Sequence, residues 1–162
     1  MRHPQPIGSP PAGGPQQQPL VLQAQGIDMR FGALKVLDQL DFSVGTDEAV
    51  GIVGPNGAGK TTLLNVLAGA YAPSQGSVWF QGVDVSARSA ADRCCAGIAR
   101  THQVPRPFLG MTVFENVLTA ATHGAGLHAR DAGDRAMECL RLCGMEALAN
   151  RRAETLGLLG RK

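Results

Sequence analysis

The segment Ala49–Leu63 reads AVGIVGPNGAGKTTL and decides the fold. Its first five residues, Ala49–Val53, form a short apolar run, which predicts a buried strand of a parallel sheet. The next eight, Gly54–Thr61, match the pattern G-x-x-x-x-G-K-[ST] without a mismatch. A strand, a glycine-rich loop and a helix in this order form the setting in which the pattern binds phosphate. The sequence therefore predicts a site for a nucleoside triphosphate, with ATP as the expected ligand.

The residue types in this loop suit a phosphate ligand. Glycines let the backbone curl so that successive N–H groups point inward, and the following helix adds the positive end of its dipole. We predict that Lys60 reaches the β- and γ-phosphates, that the Thr61 hydroxyl ligates Mg²⁺, and that Thr62 donates to an α-phosphate oxygen. The predicted nucleotide-binding residues of the loop are Gly54, Pro55, Asn56, Gly57, Ala58, Gly59, Lys60, Thr61 and Thr62.

Apolar periodicity predicts the elements on both sides of the loop. Two strands precede it, and a helix with leucines at helical spacing follows it directly. A further strand, a polar helix, a short strand and two longer helices come next. The predicted strands are Leu20–Phe31, Val36–Val44, Ser77–Phe80 and Ile98–Thr101, and the predicted helices are Lys60–Gly69, Ser89–Ala96, Thr112–Thr122 and Ala129–Cys143.

Composition changes sharply near residue 19. Residues 1–19 contain six of the ten prolines and a run of three glutamines, with almost nothing to bury, and we expect a disordered tail. Residues 20–162 are expected to form a single ATP-binding domain. Within it, 20–103 would hold the β-subdomain and the loop core, and 104–162 the helical subdomain.

Charge and cysteine content narrow the function classes. The net charge is only +2, from 15 basic and 13 acidic residues, and no cluster of basic residues stands out in the sequence. We therefore expect no nucleic-acid partner. No apolar run reaches the roughly 18 residues of a membrane span, and no secretory signal is visible, so we expect a soluble cytoplasmic chain. The four cysteines lack metal-site spacing. Cys139 and Cys143 are expected to share one buried helical face as reduced thiols.

Three segments together resemble the ABC-type ATPases. The loop contains Pro-Asn-Gly and a second threonine after its lysine, as that family favours. RTHQ at residues 100–103, whose Gln103 stands 43 residues after Lys60, resembles the family's Q-loop, and MTVFENV at residues 111–117 resembles the start of its helical subdomain. Within the family, these two segments resemble ATPase subunits of branched-chain amino acid importers and of their urea- or amide-importing relatives. The resemblance spans Leu20 to the last residue.

The resemblance implies a fold, a ligand set and partners. The fold would be α/β: a P-loop NTPase core with a RecA-like parallel sheet, an N-terminal antiparallel β-subdomain and the start of an α-helical subdomain. Phe31 would stack on adenine, and Gln103 would approach Mg²⁺, together with Thr61, and the attacking water. The ligands would be ATP and Mg²⁺. The partners would be transmembrane permease subunits and a second ATP-binding subunit, at the inner face of the plasma membrane.

Some features of the family are missing. No apolar strand ends in Asp-Glu, no switch histidine stands in place, and Leu156–Gly160 occupies the signature position without its serine and glycine pair. We therefore expect an incomplete ABC ATPase fold that binds ATP but does not turn it over alone. Two alternatives stay open: a truncated nucleotide-binding module without ATPase activity, and a soluble ABC protein outside transport. The Q-loop segment argues against a third, a P-loop kinase.

Overall fold

A computed structural model describes residues 19–157, in which one four-stranded sheet is present. Its spatial order is β2-β1-β3-β4, and every neighbouring pair is antiparallel. The predicted antiparallel N-terminal unit is therefore confirmed, with strand ends close to those expected. The strands are β1 (Leu20–Phe31), β2 (Leu34–Gly45), β3 (Gln75–Phe80) and β4 (Val83–Asp84).

The β1–β2 hairpin turns tightly at its glycine. Phe31 pairs with Leu34, and Gly32 between them has a φ of 59°, a left-handed conformation that glycine adopts without strain. In β2, half-buried Phe42 and Val44 alternate with exposed Asp41 and Ser43, as expected for a sheet with one covered face. The hairpin thus places Phe31 at the end of β1, next to the turn.

Four α-helices and three short helical turns complete the described residues. The segment expected to be one helix, Thr112–Thr122, is α-helical only as far as Thr119 and continues as a π-helical turn, Ala120–Gly124. Two single 3₁₀ turns follow the last helix, at Glu146–Leu148 and Ala153–Thr155. The α-helices are α1 (Lys60–Leu67), α2 (Ala90–Ala96), α3 (Val113–Thr119) and α4 (Ala129–Leu142).

Two hydrophobic clusters hold these elements together. The first joins the inner face of the sheet to α1, and the second lies among α3, α4 and the following turns. The first cluster brings α1, with the loop at its N-terminus, against β1 and β2. The buried members are Ala24, Ile27, Met29, Leu37, Leu63, Val66, Leu67, Val78 and Val85 in the first cluster, and Val113, Leu140, Ala149 and Leu156 in the second.

Within residues 19–157 the structure contains no parallel strands, so two strand predictions are wrong. Ala49–Val53 is not a strand, Val53 is 96% exposed, and the segment Ile98–Thr101 is likewise not a strand. A parallel strand needs hydrogen-bonded neighbours at its sides and layers over both faces. No strand of the described sheet lies beside either segment, so their apolar residues gain nothing from an extended, paired conformation.

The predicted burial of the cysteines is also wrong. Cys139 is half-buried and Cys143 is exposed, because α4 buries a different stripe. That stripe consists of Ala132, Ala136 and Leu140, which follow one another at i, i+4 spacing. Cys143 caps the end of the helix instead. Cys94 and Cys95 are exposed as well, and all four cysteines are free thiols.

The motif MTVFENV has a structural explanation at the start of α3. Thr112 is the N-cap residue and forms a capping box with Glu115, whose side chain accepts from the Thr112 N–H at 2.7 Å. This backbone hydrogen bond, followed by that of the Thr112 hydroxyl, lowers the pKa of Glu115. The Asn116 amide bonds both backbone groups of Phe108, which ties the preceding loop to the helix.

Some predictions stay open. The expected tail, apart from Pro19, and residues 158–160 of the signature-like segment lie outside the described residues. The division into 20–103 and 104–162 stays a prediction. Across residues 19–157, no helix combines the length and the hydropathy needed to cross a bilayer.

Candidate nucleotide-binding site

The predicted phosphate-binding loop forms a compact turn that leads directly into α1. Gly57 and Gly59 have φ values of 84° and 82°, which turn the backbone in the left-handed region. The Ala58 N–H donates to the Pro55 carbonyl at 3.3 Å, and the Leu63 N–H makes the first helical hydrogen bond, to the Gly59 carbonyl at 2.8 Å. The loop therefore ends where α1 begins, as the pattern predicts.

The N-terminus of α1 has free donors and no carboxylate. Its N-cap, Gly59, offers no side-chain hydrogen bond, and the first turn contains no acidic residue. The N–H groups of Lys60, Thr61 and Thr62 donate to no other group within residues 19–157. By contrast, α2 and α3 both begin with capping boxes that satisfy such groups. The start of α1 is therefore suited to an anionic ligand.

The Lys60 side chain lies back across the loop. Its ammonium donates to the carbonyl oxygens of Gly54 and Pro55, both at 2.6 Å. An ammonium has three donors, so one remains for a further acceptor. The positive charge is thus held at the loop that leads into α1.

The loop borders a cavity of about 350 Å³. Such a volume falls within the range of small-molecule sites. Gln103 belongs to the lining, so the structure brings the predicted Q-loop residue together with the phosphate-binding loop. The other predicted residues fall into two groups: Asn56 to Thr62 line the cavity, whereas Gly54, Pro55 and Phe31 do not. The lining consists of Val36, Asn56, Gly57, Ala58, Gly59, Lys60, Thr61, Thr62 and Gln103.

Phe31 lies at the end of β1, and its side chain is 45% exposed. Its ring forms a T-shaped pair with Tyr71, with centroids 5.4 Å apart and an interplanar angle of 80°. Tyr71 was not singled out from the sequence. The segment 70–74 before β3 carries no motif, and nothing local to it predicts a contact between Tyr71 and a residue 40 positions earlier.

The contacts of two arginines were not predicted from the sequence, and both arginines connect α1 to neighbouring segments. The Arg100 guanidinium hydrogen-bonds the Asn65 side chain, which ties the segment before Gln103 to the helix. Arg93 is fully buried, and its guanidinium donates to the carbonyls of Val66 at 2.7 Å and Leu67 at 2.9 Å at the C-terminal end of α1. The polar character of α2 concealed this burial.

Arg93 also reaches the turn that precedes α2. It donates to the Ser86 carbonyl at 3.0 Å and to the Arg88 carbonyl at 3.3 Å. Burial lowers the pKa of Arg93, and the nearby Asp84 raises it. An arginine keeps its charge throughout the physiological range, so a buried cation complements the negative end of the α1 dipole.

Gly59→Ala is expected to destabilise the fold more than Gly57→Ala does. Both residues have a positive φ, so an added Cβ is strained at either position. At Gly59 that Cβ would also lie 2.8 Å from Leu37 Cδ2 and 3.1 Å from the Val36 carbonyl oxygen, whereas at Gly57 it meets nothing within 4 Å. The additional loss at Gly59 should be about 1–3 kcal/mol, measured as the free energy of unfolding in urea. Equal losses would contradict the close packing of Gly59.

The chain belongs to the ABC transporter family. The family model for ABC transporters matches residues 37–159, which is most of the chain and includes the loop, α1 and Gln103. This confirms the class of protein that the loop and its surroundings indicated.

The curated relatives include ATP-binding proteins of importers. The chain is 35% identical to the high-affinity branched-chain amino acid transport ATP-binding protein LivG of Escherichia coli K12, over 86% of this chain and 60% of the relative. It is 38% identical to a probable protein of the same kind from Archaeoglobus fulgidus, over 62% and 39%. A ribose import ATP-binding protein of Rhizobium meliloti is 40% identical over 64% and 20%. The chain thus spans 20–60% of these relatives' lengths.

Solved structures give the same family. An ATP-binding cassette of an ABC transporter is 30% identical, with a TM-score of 0.73 over 88% of this chain and 64% of that one. Another structure, of such a cassette in its ADP conformation, is 30% identical with a TM-score of 0.71 over 85% and 59%. The described sheet and helices are therefore part of the ABC ATPase fold.

Proposed function

We propose that this chain is the ATP-binding part of an ABC importer, and that it binds ATP with Mg²⁺ at the loop Gly54–Thr62. The observation that carries the proposal is the start of α1. There, three free N–H groups follow directly on the loop to which the Lys60 ammonium is bonded, and neither the first turn of α1 nor the cavity lining contains a carboxylate. Such a concentration of donors suits the oxygens of a polyphosphate.

Each residue of the site has a proposed part in binding. The N–H groups of the loop and of the first turn of α1 would hold the phosphates, and Lys60 would exchange its two carbonyl acceptors for phosphate oxygens. The hydroxyl of Thr61 and the amide oxygen of Gln103 would hold Mg²⁺, which suits the preference of this ion for oxygen ligands. Phe31 would stack on adenine. When bound, Mg²⁺ would neutralise part of the charge of the phosphates.

The residues that line the cavity support binding rather than hydrolysis. None of them is a carboxylate, and Gln103 offers only a neutral amide that can orient a water molecule. A positioned general base supplies on the order of 10²–10⁴ in rate. We propose that binding is the property of the described residues and that the lining does not itself supply the base for hydrolysis.

The proposed partners are permease subunits and a second ATP-binding subunit, at the cytoplasmic face of the plasma membrane. For the transported solute we propose a branched-chain amino acid or a related amide. The LivG relative supports this choice because it is similar over a larger share of this chain than the ribose import relative. The segments RTHQ and MTVFENV, which resemble the same subclass, support it as well.

Thr61→Ala is expected to reduce the effect of Mg²⁺ on ATP affinity, whereas Thr62→Ala should weaken ATP binding equally with and without the ion. The reason is that, of the two threonine hydroxyls, only that of Thr61 is assigned to the metal. Calorimetric titration of residues 1–162 with ATP, in Mg²⁺ and in EDTA, measures both effects. If neither the parent chain nor the variants bind ATP, the proposed function is contradicted. A Thr61→Ala variant that keeps the full Mg²⁺ effect would defeat only the assignment of that ligand.

A further inference from the structure

Tyr71 is in contact with the ring proposed to stack on adenine. Among residues 19–157, Phe31 and Tyr71 form the one aromatic ring pair, and the T-shaped geometry at 5.4 Å is favourable for two rings. Both side chains are accessible, with Phe31 45% and Tyr71 39% exposed. Phe31 therefore has a defined neighbour on one side and an accessible surface for a ligand.

The backbone of Tyr71 is fixed from two directions. Its N–H donates to the Asn65 carbonyl at 3.3 Å, which joins it to the C-terminal turn of α1. Three residues later, the Ser74 N–H donates to the Asp28 carbonyl at 2.8 Å, and the Ser74 hydroxyl accepts from the Arg30 N–H at 3.1 Å. The turn that contains Tyr71 is thus attached both to the helix and to β1 next to Phe31.

Phe31 has fewer constraints of its own. It is the last residue of β1, and the Gly32 turn follows it at once. Exposed aromatic rings at a strand end can adopt more than one rotamer, and ordering such a side chain on binding costs free energy. A neighbour that holds the ring before the ligand arrives removes part of that cost.

We infer that Tyr71 is a positioning residue for nucleotide recognition, which holds the Phe31 ring in place for the base. The inference rests on the proposed function, because it concerns the same ATP site. Tyr71 connects the two halves of that site. The phosphates would be held at the N-terminus of α1. The ring that meets the base would be held by Tyr71, which is attached to the C-terminal turn of the same helix. The two ends of this eight-residue helix are about 12 Å apart.

The experiment compares ATP with inorganic tripolyphosphate, which carries the phosphates without a base, in calorimetric titrations of residues 1–162 with Mg²⁺. Tyr71→Ala is expected to weaken ATP about three- to tenfold and to leave tripolyphosphate unchanged. Tyr71→Leu, which keeps apolar volume without a ring, should behave like the alanine variant. Tyr71→Phe should restore ATP affinity, because the Tyr71 hydroxyl bonds no residue in the described range.

The double variant Phe31→Ala/Tyr71→Ala separates an indirect role from a direct one. If Tyr71 acts through Phe31, the double variant binds ATP no more weakly than Phe31→Ala alone. Additive losses would overturn the inference, since Tyr71 would then act independently of the Phe31 ring. Equal weakening of ATP and tripolyphosphate by Tyr71→Ala would overturn it too, as a general structural effect. Unchanged ATP affinity in Phe31→Ala would also overturn the inference. That result would not contradict the proposed phosphate binding at Lys60.

Discussion

Lys60→Ala is expected to lower the affinity for ATP by about 100-fold or more. The ammonium would make two charge-assisted hydrogen bonds to phosphate oxygens, and each such bond contributes about 1.5–3 kcal/mol. In the structure the same donors hold the carbonyls of Gly54 and Pro55, which are exposed and can turn to water when the lysine is removed. The variant should therefore fold as the parent does and lose only the ligand.

A matched variant removes one positive charge elsewhere. Arg135 on α4 is 59% exposed and pairs with Glu138 on the same helix, and surface pairs of this kind contribute little. Arg135→Ala should bind ATP as the parent chain does. Titration calorimetry with Mg²⁺ and ATP measures both variants, and urea unfolding checks that both are folded. An ATP affinity within twofold of the parent for Lys60→Ala would contradict the assignment of this loop.

Arg93→Met is expected to cost about 3 kcal/mol of stability. Methionine keeps most of the length and the apolar stem but removes every donor. The carbonyls of Val66 and Leu67 at the end of α1 would then be buried without partners, and the dipole of the helix would lose its cation. Such a loss is a large part of the 5–15 kcal/mol that holds a domain of this kind together.

Two companion variants make this measurement specific. Arg88→Met removes a neighbouring but exposed guanidinium and should change the free energy of unfolding by less than about 0.5 kcal/mol. Arg93→Lys keeps the charge without the planar fork and should lie between Arg93→Met and the parent. Urea unfolding followed by circular dichroism gives all three values. Equal midpoints for Arg93→Met and Arg88→Met would show that the buried guanidinium does not stabilise α1.

Local patterns predicted the elements whose stabilising contacts are close in the sequence. β1 and β2 pair with each other, α1 packs on their sheet, and capping boxes begin α2 and α3, so the residues near each element are enough to specify it. Ala49–Val53 was predicted as a buried strand because its composition suits one. Strand formation depends on what lies beside the segment, and composition alone carries no information on that.

In the candidate site, too, the contiguous motif was predicted and the long-range contacts were not. The loop from Gly54 to Thr62 is a contiguous pattern whose spacing reflects its chemistry, so it could be read directly from the sequence. Gln103 was placed by resemblance, and the structure brings it to the cavity beside the loop. Arg93 and Tyr71 contact residues 26 to 40 positions away, and neither stands in a sequence pattern that would predict these contacts. Contacts between residues that are distant in the sequence leave no local pattern from which they could be predicted.

The buried arginine at one end of α1 links the stability of the chain to its measured affinity. Only the folded fraction binds ligand, so the apparent dissociation constant rises in proportion as that fraction falls. Bound nucleotide in turn raises the unfolding temperature by mass action, by an amount that depends on its concentration relative to the dissociation constant. A substitution at Arg93, whose guanidinium reaches the end of the helix opposite the loop, can thus imitate a defect in the phosphate site. Affinities of variants along this helix become comparable once each is corrected for its folded population.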